Sequence, residues 1–386
     1  MGKETAKTIE HNLKKEKRMK INCKKADLAK GVQIVLKAVP AKSNLKIQEC
    51  ILIEAKDSTI YLTGNDLELG IKTEVSGTVE QTGSIAVDAK IFSELVRKLP
   101  AGEVVIDAQE GQATVKCKKV KFDIAVKPGD EYSRIPVVEK GESIILSEFD
   151  LKEAIRQTIF SISDNESNKM MTGELFEISK NKLRIISLDG HRVSIRNLAL
   201  EEEYKERKVI VPGKTLTEIS KIIGNDPDLD VEIYFTKDHI LFDLDETIAV
   251  SRLIDGNYFN IEGMIPKGHE IMMEISKKDF QECIDRATLL LKEKTNKPVI
   301  IDIGEKDMEL KVETAAGSMS ERLEIKKEGK KMLIGFNPKY LLDMLKVIDE
   351  DKVTLYMTKP NAPCVVRDEE KTYLYLVLPV NISKAA

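Results

Sequence analysis

The sequence predicts an α+β protein made of three repeated domains of one topology, each with two helices on antiparallel sheets. Three observations carry this prediction. Asp followed by a large apolar residue opens an amphipathic stretch at Asp27-Leu28, Asp150-Leu151 and Asp279-Phe280, at intervals of 123 and 129 residues. A lysine recurs as Lys90, Lys214 and Lys339, at intervals of 124 and 125, each just after a strand-like run (S-I-A-V-D-A-K, K-V-I-V-P-G-K, M-L-I-G-F-N-P-K). Between these markers the chain alternates in short runs enriched in β-branched residues, the pattern of half-buried strands. A length of 386 residues also suits two or three domains at about 150 residues each.

Taken in order, residues 1–18 read as a solvated extension with six basic and three acidic side chains, and Met19 starts the folded part with K-I-N-C-K. The first helix of each copy follows its Asp, a residue suited to a helix N-cap or first turn. Apolar positions then recur at helical spacing: Leu28, Val32, Val35, Leu36 and Val39; Leu151, Ile155, Ile159 and Ile162; Phe280, Cys283, Ile284, Ala287 and Leu291. Strands of the first copy are read in C-I-L-I-E-A, T-I-Y-L-T-G, G-I-K-T-E-V, E-V-V-I-D-A, A-T-V-K-C-K and K-F-D-I-A-V. Each copy is thus expected to run strand, helix, three strands, and then the same again, giving six helices per chain. Turn-formers and charges near P-V-V-E-K-G-E and M-I-P-K-G-H-E place the domains at 19–142, 143–269 and 270–386.

The second helix of each copy is marked by its lysine. Offsets +2, +5, +6 and +9 give Phe92, Leu95, Val96 and Leu99, then Leu216, Ile219, Ser220 and Ile223, then Leu341, Met344, Leu345 and Ile348. All but Ser220 are apolar, and at 100° per residue they form one face of a helix of about three turns. Offset +7 is basic every time: Arg97, Lys221 and Lys346. It lies on the same side as the lysine, opposite the apolar face. An acid at +4 (Glu94, Glu218, Asp343) offers each lysine an i,i+4 partner. On the first helices Lys30, Lys37, Arg156, Lys278, Arg286 and Lys292 also point away from the stripe, in the company of Glu153, Glu282 and Asp285. The pattern suits a solvated face; it permits a weak, non-specific phosphate-facing surface and does not require one.

Composition narrows the function. The chain is 42% apolar and 33% charged with net charge −4, which excludes disordered and collagen-like classes and argues against a strongly basic nucleic-acid binder. No apolar run reaches the length of a membrane helix and no secretory core is seen near the N-terminus, so a cytoplasmic protein is expected. Five scattered cysteines, Cys23, Cys50, Cys117, Cys283 and Cys364, read as buried hydrophobes, with no disulfide framework, metal or cofactor indicated. P-G-K-T at 212–215 has Lys208 where a phosphate-binding loop requires glycine. His191 beside Asp189 has no nucleophile in a recognisable elbow, and N-D-P-D-L-D at 225–230 lacks the glycine and final glutamate of a calcium loop. An enzyme is not expected.

From Met19 to about Ile382 the chain resembles the bacterial replicative sliding clamp, the beta subunit of DNA polymerase III. The resemblance rests on the threefold plan, L-T-G-N-D-L-E-L (62–69), I-S-L-D-G-H-R-V (186–193), I-D-G-N-Y-F-N-I-E-G-M-I-P (254–266) and Y-L-V-L-P-V (375–380). It implies a head-to-tail dimeric ring, sheets outside and helices inside, that encircles duplex DNA and tethers the replicative polymerase and other replication and repair proteins. It further implies a groove for short partner peptides, from polymerases, the clamp loader and repair proteins, at Met171, Leu188, Gly190, His191, Arg192, Val193, Phe259, Met264, Leu376 and Leu378. By the same resemblance the dimer interface maps to Phe122, Leu289 and Leu290. The DNA-facing set is Lys42, which replaces a family arginine, and Lys90, joined by the cations of the repeat, Arg97, Lys214, Lys221, Lys339 and Lys346. The sequence departs from the commoner family pattern at Phe259, Glu262 and Gly263. The expected function is that of a non-catalytic processivity factor, cytoplasmic and nucleoid-associated; the competing reading is a three-domain protein scaffold that does not close around DNA.

Overall fold

A computed structural model describes residues 18–109, 111–291 and 297–382. Nearly all of the predicted extension, and Lys292, lie outside the described residues. Among the described residues there are six α-helices: α1 (Lys25–Val35), α2 (Ala89–Lys98), α3 (Glu148–Thr158), α4 (Gly213–Ile219), α5 (Lys277–Thr288) and α6 (Pro338–Leu345).

The repeated aspartates, Asp27, Asp150 and Asp279, are each the third residue of their helix, where a negative charge complements the exposed backbone N–H groups. The Ser276 hydroxyl caps α5 by accepting from Asp279 N at 3.3 Å, Asp88 caps α2 by accepting from Ile91 N at 2.8 Å, and Asn337 caps α6 through Lys339 N at 3.0 Å. All eleven apolar residues predicted on the lysine-marked helices are buried, and Ser220 is half-buried. Each large side chain so buried contributes about 1.5–3 kcal/mol, which fixes these short helices to their sheets. The predicted three turns are found in α2 only. The helices α4 and α6 stop after about two, and Ile223 and Ile348 are buried from the turns that follow.

Two compact units are present, and neither coincides with one sequence repeat. The first holds the described residues up to Glu148 together with 221–253; the second holds 149–220 and the described residues from Ile254 onward. Strand pairing supplies the reason. In the first unit Leu69–Val75 of the first copy pairs antiparallel with Thr247–Arg252 of the second, with Thr73 opposite Thr247 and their buried hydroxyls 2.6 Å apart. This makes one thirteen-stranded sheet. In the second unit Arg192–Pro212 of the second copy pairs with Tyr373–Val377 of the third, Val193 opposite Leu376, within a seven-stranded sheet. The same seam therefore occurs twice, one copy apart.

Strand counts differ from the simple plan. In the first copy a fourth strand, Gly77–Gln81, follows Leu69–Val75 after a one-residue break and crosses to pair with Arg18–Lys24. A side chain at Gly77 would meet Asn22 O at 2.5 Å, so only glycine permits that approach. In the second copy two long strands, Gly173–Leu188 and Arg192–Pro212, replace several short ones, with irregular register between Ile178 and Lys182. Charge-rich E-E-E-Y-K-E-R-K (201–208) hides the alternation there.

Several strand edges are left open among the described residues, and two of them bear on the repeat. Val120–Pro128 pairs along 120–125 with Gln112–Cys117 on one side, while only Val126–Pro128 reaches Gly83–Asp88 on the other. Gly317–Glu324 ends its four-stranded sheet, paired only with Asp307–Thr314. All five cysteines are free and buried, as expected.

Candidate functional site

The predicted groove residues gather on the seven-stranded sheet of the second unit. Asp189, Gly190 and His191 turn Gly173–Leu188 into Arg192–Pro212. Gly190 has φ +88°, and the Asp189 carboxylate accepts from His191 N at 2.9 Å and Arg192 N at 3.1 Å. Beyond the last strand, Leu378 N donates to His191 O at 2.8 Å, which holds Leu378 beside the turn. Met171 sits in the 3-10 turn Lys169–Thr172, tied down where Ser163 N donates to Met171 O at 2.8 Å.

Leu188, Val193 and Leu376 share one apolar cluster with Leu175, Ile186 and Ile210, and Met171 and Phe259 pack against it half-buried. The segment after Ile254 closes one flank. Tyr258 donates from its hydroxyl to Gly173 O and Ile186 O, each at 3.3 Å, and Phe259 packs edge-on against it at 6.1 Å. Burial pushes the Tyr258 phenol up, so it stays protonated and a donor. Met264 and Leu378 remain 45% and 39% exposed, and polarizable or flexible apolar side chains at a rim suit a site that re-packs around different ligands.

Next to Phe259 a cavity of about 430 Å³ opens between Leu175, Ile186, Ile210, Ile261 and Glu262. Of the predicted residues only Phe259 lines it. The four aliphatic lining residues were missed because only Ile186 shares the parity of Leu188 on its strand; irregular register separates Leu175 from it, Ile210 lies on the next strand and Ile261 in no strand. Glu262, one of the departures from the family pattern, is taken by Arg184 at 2.9 Å.

Arg192 stands apart from an exposed groove residue. It is 5% exposed, pairs with Asp189 at 2.9 Å and Asp343 at 2.7 Å, and lies over the rings of Tyr340 (4.6 Å) and Phe160 (5.4 Å). His191 stacks on the same Tyr340 at 5.9 Å. Arg192 therefore positions the turn that carries Gly190 and His191.

The second set of predicted residues is cationic and is divided between the two units. Lys90, Lys214 and Lys339 are each the second residue of α2, α4 and α6, and all three are exposed, as are Arg97, Lys221, Lys346 and Lys42. The acids at +4 do not all serve the lysines. Glu94 pairs with Arg97 at 2.6 Å and Asp343 with Arg192. On the first helices Arg156 is taken by Glu153 and Asp349, and Arg286 by Glu321, so their charge is largely neutralised. A lysine in a first helical turn opposes the helix dipole. It recurs at the second position of three equivalent helices. Of the residues predicted at the interface, Phe122 is 41% and Leu289 84% exposed, whereas Leu290 packs half-buried against the core.

The fold and these surfaces define a clamp-type docking protein, with one α+β plan repeated three times, a cationic helix face and an apolar sheet groove. Residues 19–136, 146–260 and 262–381 match the N-terminal, central and C-terminal domains of the DNA polymerase III beta subunit. The chain is 32% identical over 378 residues to the beta sliding clamp of Bacillus subtilis (strain 168), covering 94% of this chain and 99% of that one. The crystal structure of a putative DNA polymerase III beta subunit from Eubacterium rectale superposes with a TM-score of 0.91 at 54% identity, covering 95% of this chain and all of the other. That of the Bacillus subtilis clamp gives 0.91 at 32% identity, covering 94% and 99%. This chain belongs to the DNA polymerase III beta subunit family, the bacterial sliding clamps. It is a DNA sliding clamp, a processivity factor and a non-catalytic accessory subunit of the polymerase.

Proposed function

We propose that two copies of this chain close head to tail into a ring around duplex DNA, with domains at 19–142, 143–269 and 270–386 as the repeating blocks. The repeated seam carries this reading. Leu69–Val75 meets the last strand of the second copy, and Arg192–Pro212 meets the last strand of the third. The strand of the third copy at the corresponding place is Gly317–Glu324, and the last strand of the first copy is Val120–Pro128; each leaves an edge open. Pairing one chain's Gly317–Glu324 with the other's Val120–Pro128 completes the series, with Phe122 and Leu289 supplying the apolar contact and Leu290 backing it. Lys42, Lys90, Arg97, Lys214, Lys221, Lys339 and Lys346 then face the duplex. Exposed single cations on a net acidic body attract phosphate without gripping a sequence, and retention comes from closure.

The groove around Met171, Leu188, Val193, Leu376 and Leu378 receives short, largely apolar peptides of the polymerase, the clamp loader and repair proteins, in the cytoplasm at the nucleoid. Among the described residues no helix is long and apolar enough to cross a membrane. Light scattering after gel filtration tests the assembly: the parent chain is expected at twice 43.4 kDa, and Phe122→Asp or Leu289→Asp at the mass of one chain. A variant that stays dimeric refutes the interface. Loss of an apolar, glutamine-containing peptide by Met171→Asp/Leu376→Asp, read by fluorescence anisotropy, tests the groove; unchanged affinity rejects it.

A further inference from the structure

On the second unit a cavity of about 320 Å³ adjoins the apolar groove. Val365 joins the two, since it lines the cavity and belongs to the apolar cluster of Leu188, Val193 and Leu376. Strand register carries the same continuity. Val193 stands opposite Leu376, Leu376 opposite Val365, and Val365 opposite Tyr356, so one row of side chains crosses four strands from the groove into the cavity. Residues directly opposite one another share a face of the sheet. Arg367, two places after Val365 on the strand Cys364–Arg367, lies on that face as well.

The chemistry changes along the row, from aliphatic in the groove to cationic in the cavity. Arg367 lies over the half-buried ring of Tyr356 at 4.5 Å, and His269 meets the same ring edge-on at 5.0 Å. Lys267 and His269 are exposed lining residues of the connection 266–269, and no carboxylate lines the cavity. Among the described residues, no acid pairs with Lys267, His269 or Arg367. The acids next to them in sequence are turned elsewhere: Glu270 pairs with Lys330 at 3.8 Å, and Asp368 accepts from Thr372 N at 3.1 Å and Tyr373 N at 2.9 Å. Around the rest of the groove the cations are neutralised, Arg184 by Glu262, Lys208 by Glu177 and Arg192 by Asp343. Positive charge without a counter-charge is thus concentrated where the row ends.

We propose that Lys267, His269 and Arg367 form an acid-reading extension of the groove, which takes a glutamate or aspartate side chain of the partner peptide. This rests on the peptide-groove reading above and adds a specificity to it. Neighbouring strands lie about 4.8 Å apart and an extended peptide advances about 3.4 Å per residue. An acid about three to five positions from the apolar residues over Val193 and Leu376 therefore reaches the cationic end. There the Arg367 guanidinium, held over Tyr356, donates to the carboxylate, and the Lys267 ammonium adds a second charge.

Isothermal titration of the full chain with acetyl-Glu-Glu-Gly-Ser-Gln-Leu-Leu-Phe-Gly-Ser-Glu-Glu-amide, and with the same peptide carrying glutamine for every glutamate, tests the assignment; acids at both ends serve either peptide direction. At low salt the acidic peptide is expected to bind about threefold to tenfold more tightly than the neutral one. The advantage is expected to disappear in Lys267→Gln/Arg367→Gln, to be partly lost in Lys267→Gln alone, and to shrink at about 0.5 M salt. The readout is the ratio of the two affinities, which a general weakening of the groove does not move. Equal affinity of the two peptides for the parent chain, or an acidic advantage that survives Lys267→Gln/Arg367→Gln, would overturn the proposal and leave the groove standing. If neither peptide binds, the groove reading fails and the proposal fails with it.

Discussion

At Glu174 the chain buries a carboxyl group completely, beside the Thr158 hydroxyl and away from any cation that could pair with it. Burial pushes its pKa up to about 8 from an ordinary value of 4.5, so the folded state holds a proton that the unfolded chain has lost. Stability is therefore undiminished below pH 4.5 and falls as pH rises toward 8, by about 1.4 kcal/mol per pH unit at most. Glu174→Gln removes the ionisation. Its thermal midpoint is expected to match the parent near pH 4.5 and to exceed it at pH 8 in scanning calorimetry; parallel pH profiles would contradict this. Arg192 is the opposite case, a buried charge held between two carboxylates and two rings. Arg192→Met leaves Asp189 and Asp343 without their partner, and chemical denaturation is expected to show a loss of roughly 2–3 kcal/mol. Neither residue's role was legible in the sequence. A glutamate in G-E-L-F-E reads as solvent-facing, and Arg192 entered the groove by resemblance, although the partner that buries it, Asp343, lies 151 positions away.

Helices were more legible than strands, because their determinants are local. Cap, first-turn Asp and apolar face all lie within about a dozen residues, and the face of α2, α4 and α6 was readable almost residue by residue. Helix length was not, since two of the three stop a turn early and their last apolar residue packs from a loop. Strand number failed in the second copy, where irregular register and charged stretches conceal two long strands. The lysines of α2, α4 and α6 lead to a prediction at this scale. Lys90→Glu/Lys214→Glu/Lys339→Glu places favourable charge in three first turns, so stability is expected to hold or to rise by about 0.3–1 kcal/mol per site. On the proposed DNA-facing assignment, association with linear DNA at low salt is expected to fall sharply, with a shallower salt dependence, because three charges that would neutralise phosphate are reversed. An unchanged salt slope would remove these helices from the DNA-facing surface.

For the molecule as a whole, the threefold period stood out because duplicated segments repeat their punctuation. The division into two compact units did not, because it depends on pairing between residues far apart, such as Thr73 with Thr247 and Val193 with Leu376. Leu188, Val193 and Leu376, named by resemblance, fall in one apolar cluster, while Ile210 and Ile261 of that cluster were not named, since nothing in an apolar run says which side a cavity lies on. In the proposed ring the two edges that meet, Val120–Pro128 and Gly317–Glu324, are unlike one another, so a chain would behave as a monomer with two different reactive ends, and only cyclisation would consume both. Phe122→Asp and Leu289→Asp each spoil one end and spare the other. Mixed together, they are expected to join through the single intact pair of ends into an open dimer, which binds the same partner peptides as the ring yet slips off circular DNA as readily as off linear DNA.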